Sequence, residues 1–119
     1  MSERPGGNSD AGRRMEEIME MHYAIAILRY RRPLEEVLPH VEAHRAYLRG
    51  LRERGTVLAS GPFVPRSGGA LLLRVPADDI HGALDRIRDG DPFTHAGVVQ
   101  YELLPWDPNI GREALDAVT

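Results

Sequence analysis

Residues 34–54 read LEEVLPHVEAHRAYLRGLRER. Within them Leu34, Val37, Val41, His44, Leu48 and Leu51 recur at steps of three, four, three, four and three. That is the spacing of one face of an α-helix. The pattern predicts a helix from Leu34 to about Arg54, with Pro33 suited to its first turn and Gly55 as its natural stop. A stripe of this kind packs on a sheet. Every member is apolar except His44, so the imidazole should point inward, where a polar group needs a partner.

The neighbouring segments supply the sheet. Residues 22–28 (HYAIAIL) alternate Tyr23, Ile25 and Ile27 with smaller residues and read as a strand. A second strand is expected at Thr56–Ser60, closed by Gly61-Pro62, and a third at Ala70–Val75. The two are joined as a hairpin through the turn at Pro65–Gly69. A second helix starts near Pro76–Asp79, buries Ile80, Ala83, Leu84 and Ile87, and ends at Asp89-Gly90. The last strand spans Gly97–Leu104, with Val99, Tyr101 and Leu103 on one face. Arg112–Val118 suits a short helix in the tail.

The order strand, helix, strand, strand, helix, strand predicts an α+β domain. It is a ferredoxin-like βαββαβ antiparallel sheet with two helices on one face. The other face would be bare, and exposed apolar surface costs roughly 25 cal/mol per Å². Pairing of two such sheets in a homodimer is therefore expected. Residues 1–20 read as a flexible leader, with a possible short helix at Met15–Glu20. Residues 21–107 read as the domain and 108–119 as a tail.

Composition narrows the chemistry. The 119 residues suit one domain. There is no cysteine, which removes disulfides, thiolate metal sites and a cysteine nucleophile. All 15 basic residues are arginine, so Schiff-base chemistry and a lysine base are excluded. A net charge of -3 without a basic tract argues against a nucleic-acid surface. No apolar run is long enough to span a bilayer. The polar first residues lack the apolar core of a signal peptide, so a cytoplasmic location is expected.

Among side chains able to carry chemistry, His44 stands first, because imidazole both takes and gives a proton near neutrality. A core histidine bonded to a backbone carbonyl is the plainer reading of the stripe. His40 lies one turn earlier, but the residue after it is Val41, and spacing signals no third ligand, so no metal site is expected. His40 is placed at the mouth of a site or on the surface. Asp91, in Gly90-Asp91-Pro92-Phe93, reads equally as the N-cap of a single turn and as a carboxylate that orients a histidine. Ser60 is a candidate hydrogen-bond donor to a ligand, and Gly61 and Pro62 end its strand where a ligand comes close. Ser60 lacks the G-x-S-x-G context of a hydrolase nucleophile. Arg45, Arg49, Arg52 and Arg54 mark a solvated helix face, Arg45 being within reach of an anion.

These pieces follow one another in order: His44-Arg45-Ala46-Tyr47-Leu48, Gly55, Ala59-Ser60-Gly61-Pro62, a Gly-Gly hairpin, Gly90-Asp91-Pro92-Phe93, Ala96-Gly97-Val98 and Pro105-Trp106. In this the chain resembles the YciI-like (YCII-related) family across about residues 21–107. The resemblance implies a dimeric α+β barrel and a site built on His44 and Asp91 as a dyad. Phe93 joins His40, Ser60, Gly61 and Pro62 as a candidate substrate contact. The arginine that the family often carries three residues before the histidine is Val41 here. The implied chemistry is lyase-like proton transfer on a small cyclic or aromatic-derived molecule, without metal or organic cofactor. A lyase, dehydratase or isomerase is therefore expected. The alternatives are a non-catalytic metabolite-binding or regulatory module with the same pocket, and a cofactor-free oxygenase of the antibiotic-monooxygenase type.

Overall fold

The computed structural model describes residues 21–119. The expected leader and its short helix lie outside the described residues. Strand β1 (Met21–Tyr30) is followed by a short helix α1 (Leu34–Val37), a 3₁₀ turn (Leu38–His40) and helix α2 (Val41–Glu53). Strands β2 (Val57–Pro62) and β3 (Gly68–Pro76) form the hairpin. Helix α3 (Ile80–Gly90), helix α4 (Pro92–Ala96), strand β4 (Val99–Trp106) and helix α5 (Arg112–Asp116) complete the chain.

The single helix expected over 34–54 is broken at Pro39, which has no N–H to give the ladder and clashes with the preceding turn. The stripe survives the break only in part. Val37 is fully buried and Leu48 and Leu51 nearly so, whereas Leu34 is 39% exposed. Gly55 ends α2 at φ 82°, in the left-handed region that favours glycine. Strand β2 runs on through Gly61 and Pro62, which pair with Ala70 and Gly69. It is an edge strand, where a proline is tolerated.

The four strands form one antiparallel sheet in the order β2-β3-β1-β4. Alternation sends Ala24, Ala26, Leu28, Leu71, Leu73 and Val75 to the face covered by α2 and α3, where Leu48, Leu51, Leu84 and Ile87 complete the core. The expected α+β class, with helices on one sheet face, is what the structure contains. The expected barrel is not. The sheet is open: β2 and β4 each have one strand neighbour and do not meet. Closing a barrel requires the terminal strands to pair, with tilt and stagger to match, and here each keeps a free edge.

Candidate active site

The site grows out of a local feature, the Asp91-Pro92 junction between α3 and α4. Asp91 leaves the helical region (φ −75°, ψ 127°), as the residue before a proline is biased to do. Its side chain then caps α4, Oδ1 accepting from Phe93 N at 2.9 Å. The same carboxylate is completely buried and receives two side chains. His44 Nδ1 lies 2.9 Å from Oδ1 and 3.0 Å from Oδ2. The Tyr101 hydroxyl, from β4, donates to Oδ2. The two readings of Asp91 therefore hold together, because a carboxylate has lone pairs enough for the cap and the histidine.

An ionised carboxylate only accepts, so Nδ1 carries the proton and donates it to Asp91. That leaves Nε2 as the basic nitrogen, with no protein partner among the described residues. The ring plane is fixed by Phe93, which stacks on the imidazole at 3.9 Å between centroids and 9° between planes. Tyr30 meets Phe93 edge-on at 6.4 Å. Burial, then the charge of Asp91, pushes the Tyr101 hydroxyl far above the usual tyrosine value. It therefore stays protonated and keeps donating. Tyr47, raised by the same two causes in the same order, donates to the Ile87 carbonyl at 2.7 Å. A Cβ on Gly90 would sit 2.8 Å from that hydroxyl oxygen. The glycine before Asp91 thus admits Tyr47 to the cluster.

His44 opens onto a cavity of about 390 Å³ between α2 and the β2–β3 hairpin. This is within the ~300–1,000 Å³ of small-molecule sites. Leu28, Leu48, Val57 and Leu71 form its apolar floor, and Ser60, Gly61, Pro62 and Phe93 lie on its walls. His40 lies in the 3₁₀ turn before α2 and is not among the lining residues. Arg45, Arg49 and Arg52 do line the cavity, so they are more than a solvated helix face. Tyr101 had no signal in the sequence beyond its place in a strand. The register that sets it against Asp91 is a long-range property. Among the described residues no group of three or more His, Asp or Glu side chains is arranged to hold a metal ion. No helix there is long and apolar enough to cross a membrane.

Comparison with known proteins places this geometry in context. A family model described as YCII-related domain matches residues 21–107. No curated protein matches the chain. Among solved structures, the fold is similar to that of 5-chloro-2-hydroxyhydroquinone dehydrochlorinase from Burkholderia phenoliruptrix AC1100, in complex with 2,5-dihydroxybenzoquinone. The TM-score is 0.58 at 23% identity, over 71% of this chain and 93% of that one.

Proposed function

The chain belongs to the YCII-related family, and from that premise we propose that it is an acid/base enzyme acting on a small cyclic substrate without an organic cofactor. The observation that carries the reading is His44. One ring nitrogen is held by a buried carboxylate, the other has no protein partner among the described residues, and the residue lines a cavity. Asp91 sets the tautomer and stabilises the imidazolium that forms when Nε2 takes a proton. Phe93 holds the ring plane, and Tyr101 holds Asp91. In an elimination, Nε2 accepts a proton from a ring carbon, the C–H electrons form the new double bond, and the leaving group departs with its own pair. The imidazolium then returns its proton to water or to the leaving group. Dehydration and isomerisation use the same shuttle. The dehydrochlorinase whose fold is similar supports elimination as the first reaction to assay.

The test is turnover of a panel of hydroxylated and halogenated quinols, followed by absorbance and halide release. His44→Ala and Asp91→Asn should each lower turnover by about 10²–10⁴-fold. Equal turnover in both variants and the parent overturns the dyad. Tight binding of a panel member without conversion points instead to the metabolite-binding module. The sheet face away from the helices carries Ile25, Ile27, Leu72, Leu104 and Trp106, the last two 38% and 43% exposed. That apolar surface supports a homodimer, and a light-scattering mass of one chain would refute it.

A further inference from the structure

The cavity beside His44 is ringed by one sign of charge. Arg45, Arg49 and Arg52 follow one another at steps of four and three, so they share a face of α2 adjacent to its buried stripe. Arg66 reaches the same space from the β2–β3 turn on the opposite side. Among the described residues, no Asp or Glu lines the cavity. The chain as a whole has 18 acidic residues against 15 basic ones, so composition does not explain this local excess. Two of the four guanidinium groups are partly engaged. Arg52 donates to the Thr119 carbonyl at 2.9 Å, and Arg66 Nε donates to the Tyr30 hydroxyl at 3.2 Å. Among the described residues, the terminal nitrogens of Arg66 have no partner, and the Nε bond ties it to the Tyr30–Phe93–His44 aromatic group. Among the described residues, Arg45 and Arg49 have no carboxylate partner.

We propose that this cavity binds a cyclic carboxylic acid, its ring over the apolar floor beside His44 and its carboxylate held by Arg45, Arg49 and Arg66. A guanidinium fork matches a carboxylate with two parallel N–H donors. The low-dielectric floor of leucine and valine side chains strengthens that pairing and draws the anion in. The carboxylate is a handle that does not react. It fixes which ring atom faces Nε2, and so supplies orientation for the proton transfer. The assignment deepens the acid/base reading and rests on it for the identity of the reacting end, but it is tested by binding alone.

The probes are benzoate, its neutral analogue benzamide, and phenyl phosphate, titrated into the ¹⁵N-labelled protein. Benzoate should give saturable shifts at Ser60, Phe93 and the arginine side chains, and bind at least about tenfold more tightly than benzamide. Added salt should weaken benzoate and leave benzamide unchanged. Arg49→Gln and Arg66→Gln, both at exposed positions, should remove the preference for the acid while leaving benzamide binding and the thermal midpoint in place. The same preference should persist in His44→Gln, which separates failure of the carboxylate site from failure of the dyad. Equal binding of acid and amide, no saturable shift with either, or tighter binding of phenyl phosphate than of benzoate overturns the proposal.

Discussion

Two partly buried tyrosine–aspartate pairs sit on opposite faces of the same sheet, and they do opposite things. On the helix-covered face Tyr101 donates to Asp91, which also takes His44 and the Phe93 amide. On the other face Tyr23 donates to Asp116 at 2.5 Å. It lies beside Arg74, its register partner on β3. Arg74 is 9% exposed and donates to the Leu115 and Val118 carbonyls at 3.1 and 2.9 Å. The Arg112 guanidinium lies 5.5 Å over the Tyr23 ring. In the second cluster the guanidinium's bonds end on backbone carbonyls, so it clamps α5 to the sheet. In the first, the histidine keeps one ring nitrogen without a partner among the described residues. A buried polar cluster becomes a candidate for chemistry when it contains an exchangeable proton with an exit, and burial alone does not make it one.

The sharpest way to break that distinction is to damage both clusters and compare activity with stability. Asp91→Asn should lower turnover by about 10²–10⁴-fold, because the amide no longer holds His44 in one tautomer. Arg74→Ala should leave turnover of the folded protein within about twofold, yet lower unfolding free energy by about 3 kcal/mol, two charge-assisted bonds being lost from a buried site. Urea denaturation and steady-state kinetics on the two proteins give both numbers. Comparable loss of turnover in Arg74→Ala would erase the division of labour.

Tyr101→Phe should fall between them. It removes a donor and leaves the fold's apolar contact in place, at about 1–2 kcal/mol of stability. Asp91 also keeps His44 and the Phe93 amide. Turnover should drop by about tenfold, through a looser Asp91 rather than a missing one, and ¹⁵N shifts of the His44 ring should show the Nδ1–H form still dominant. Loss of that tautomer preference would make Tyr101 as necessary as Asp91.

The two clusters also differ in how far they could be read from the sequence. His44 was legible because a polar residue interrupted a periodic apolar stripe, and Asp91 because Asp-Pro is a capping signal. The apolar stripe that carries His44 runs across Pro39 and so predicts one helix, whereas the missing N–H of Pro39 splits it in two. The motif order tied His44 and Asp91 together, although they lie 47 residues apart. Nothing comparable links Tyr23, Arg74 and Asp116. Arg74 sits in an apolar strand where alternation says only that it faces away from the helices. Its role depends on α5 folding back beneath it, and that contact leaves no local spacing. The open sheet leaves no local signal for a related reason. Element order sets neighbours within the sheet, but whether its outer strands meet depends on curvature, which no pattern of residue types records.

The smallest expected effect is a difference between the tyrosines themselves. Both hydroxyls are raised above the ordinary value of about 10. Tyr101 is raised by burial and by Asp91, with no cation opposing. Tyr23 is raised by burial and by Asp116, while Arg74 pulls the other way. Above about pH 10 the unfolded chain releases the phenol proton and the native state keeps it. The native state then binds more protons, so stability falls as pH rises. The contribution is fully present below about pH 10 and is lost toward the folded value. Because Arg74 offsets part of the shift at Tyr23, the loss over an alkaline series should continue to higher pH, and so be larger in total, for Tyr101. Urea midpoints measured from neutral to alkaline pH should therefore flatten more in Tyr101→Phe than in Tyr23→Phe. The reverse order would mean that Arg74 does not hold its charge near the Tyr23 oxygen, and that the clamp on α5 is looser than its two carbonyl bonds require.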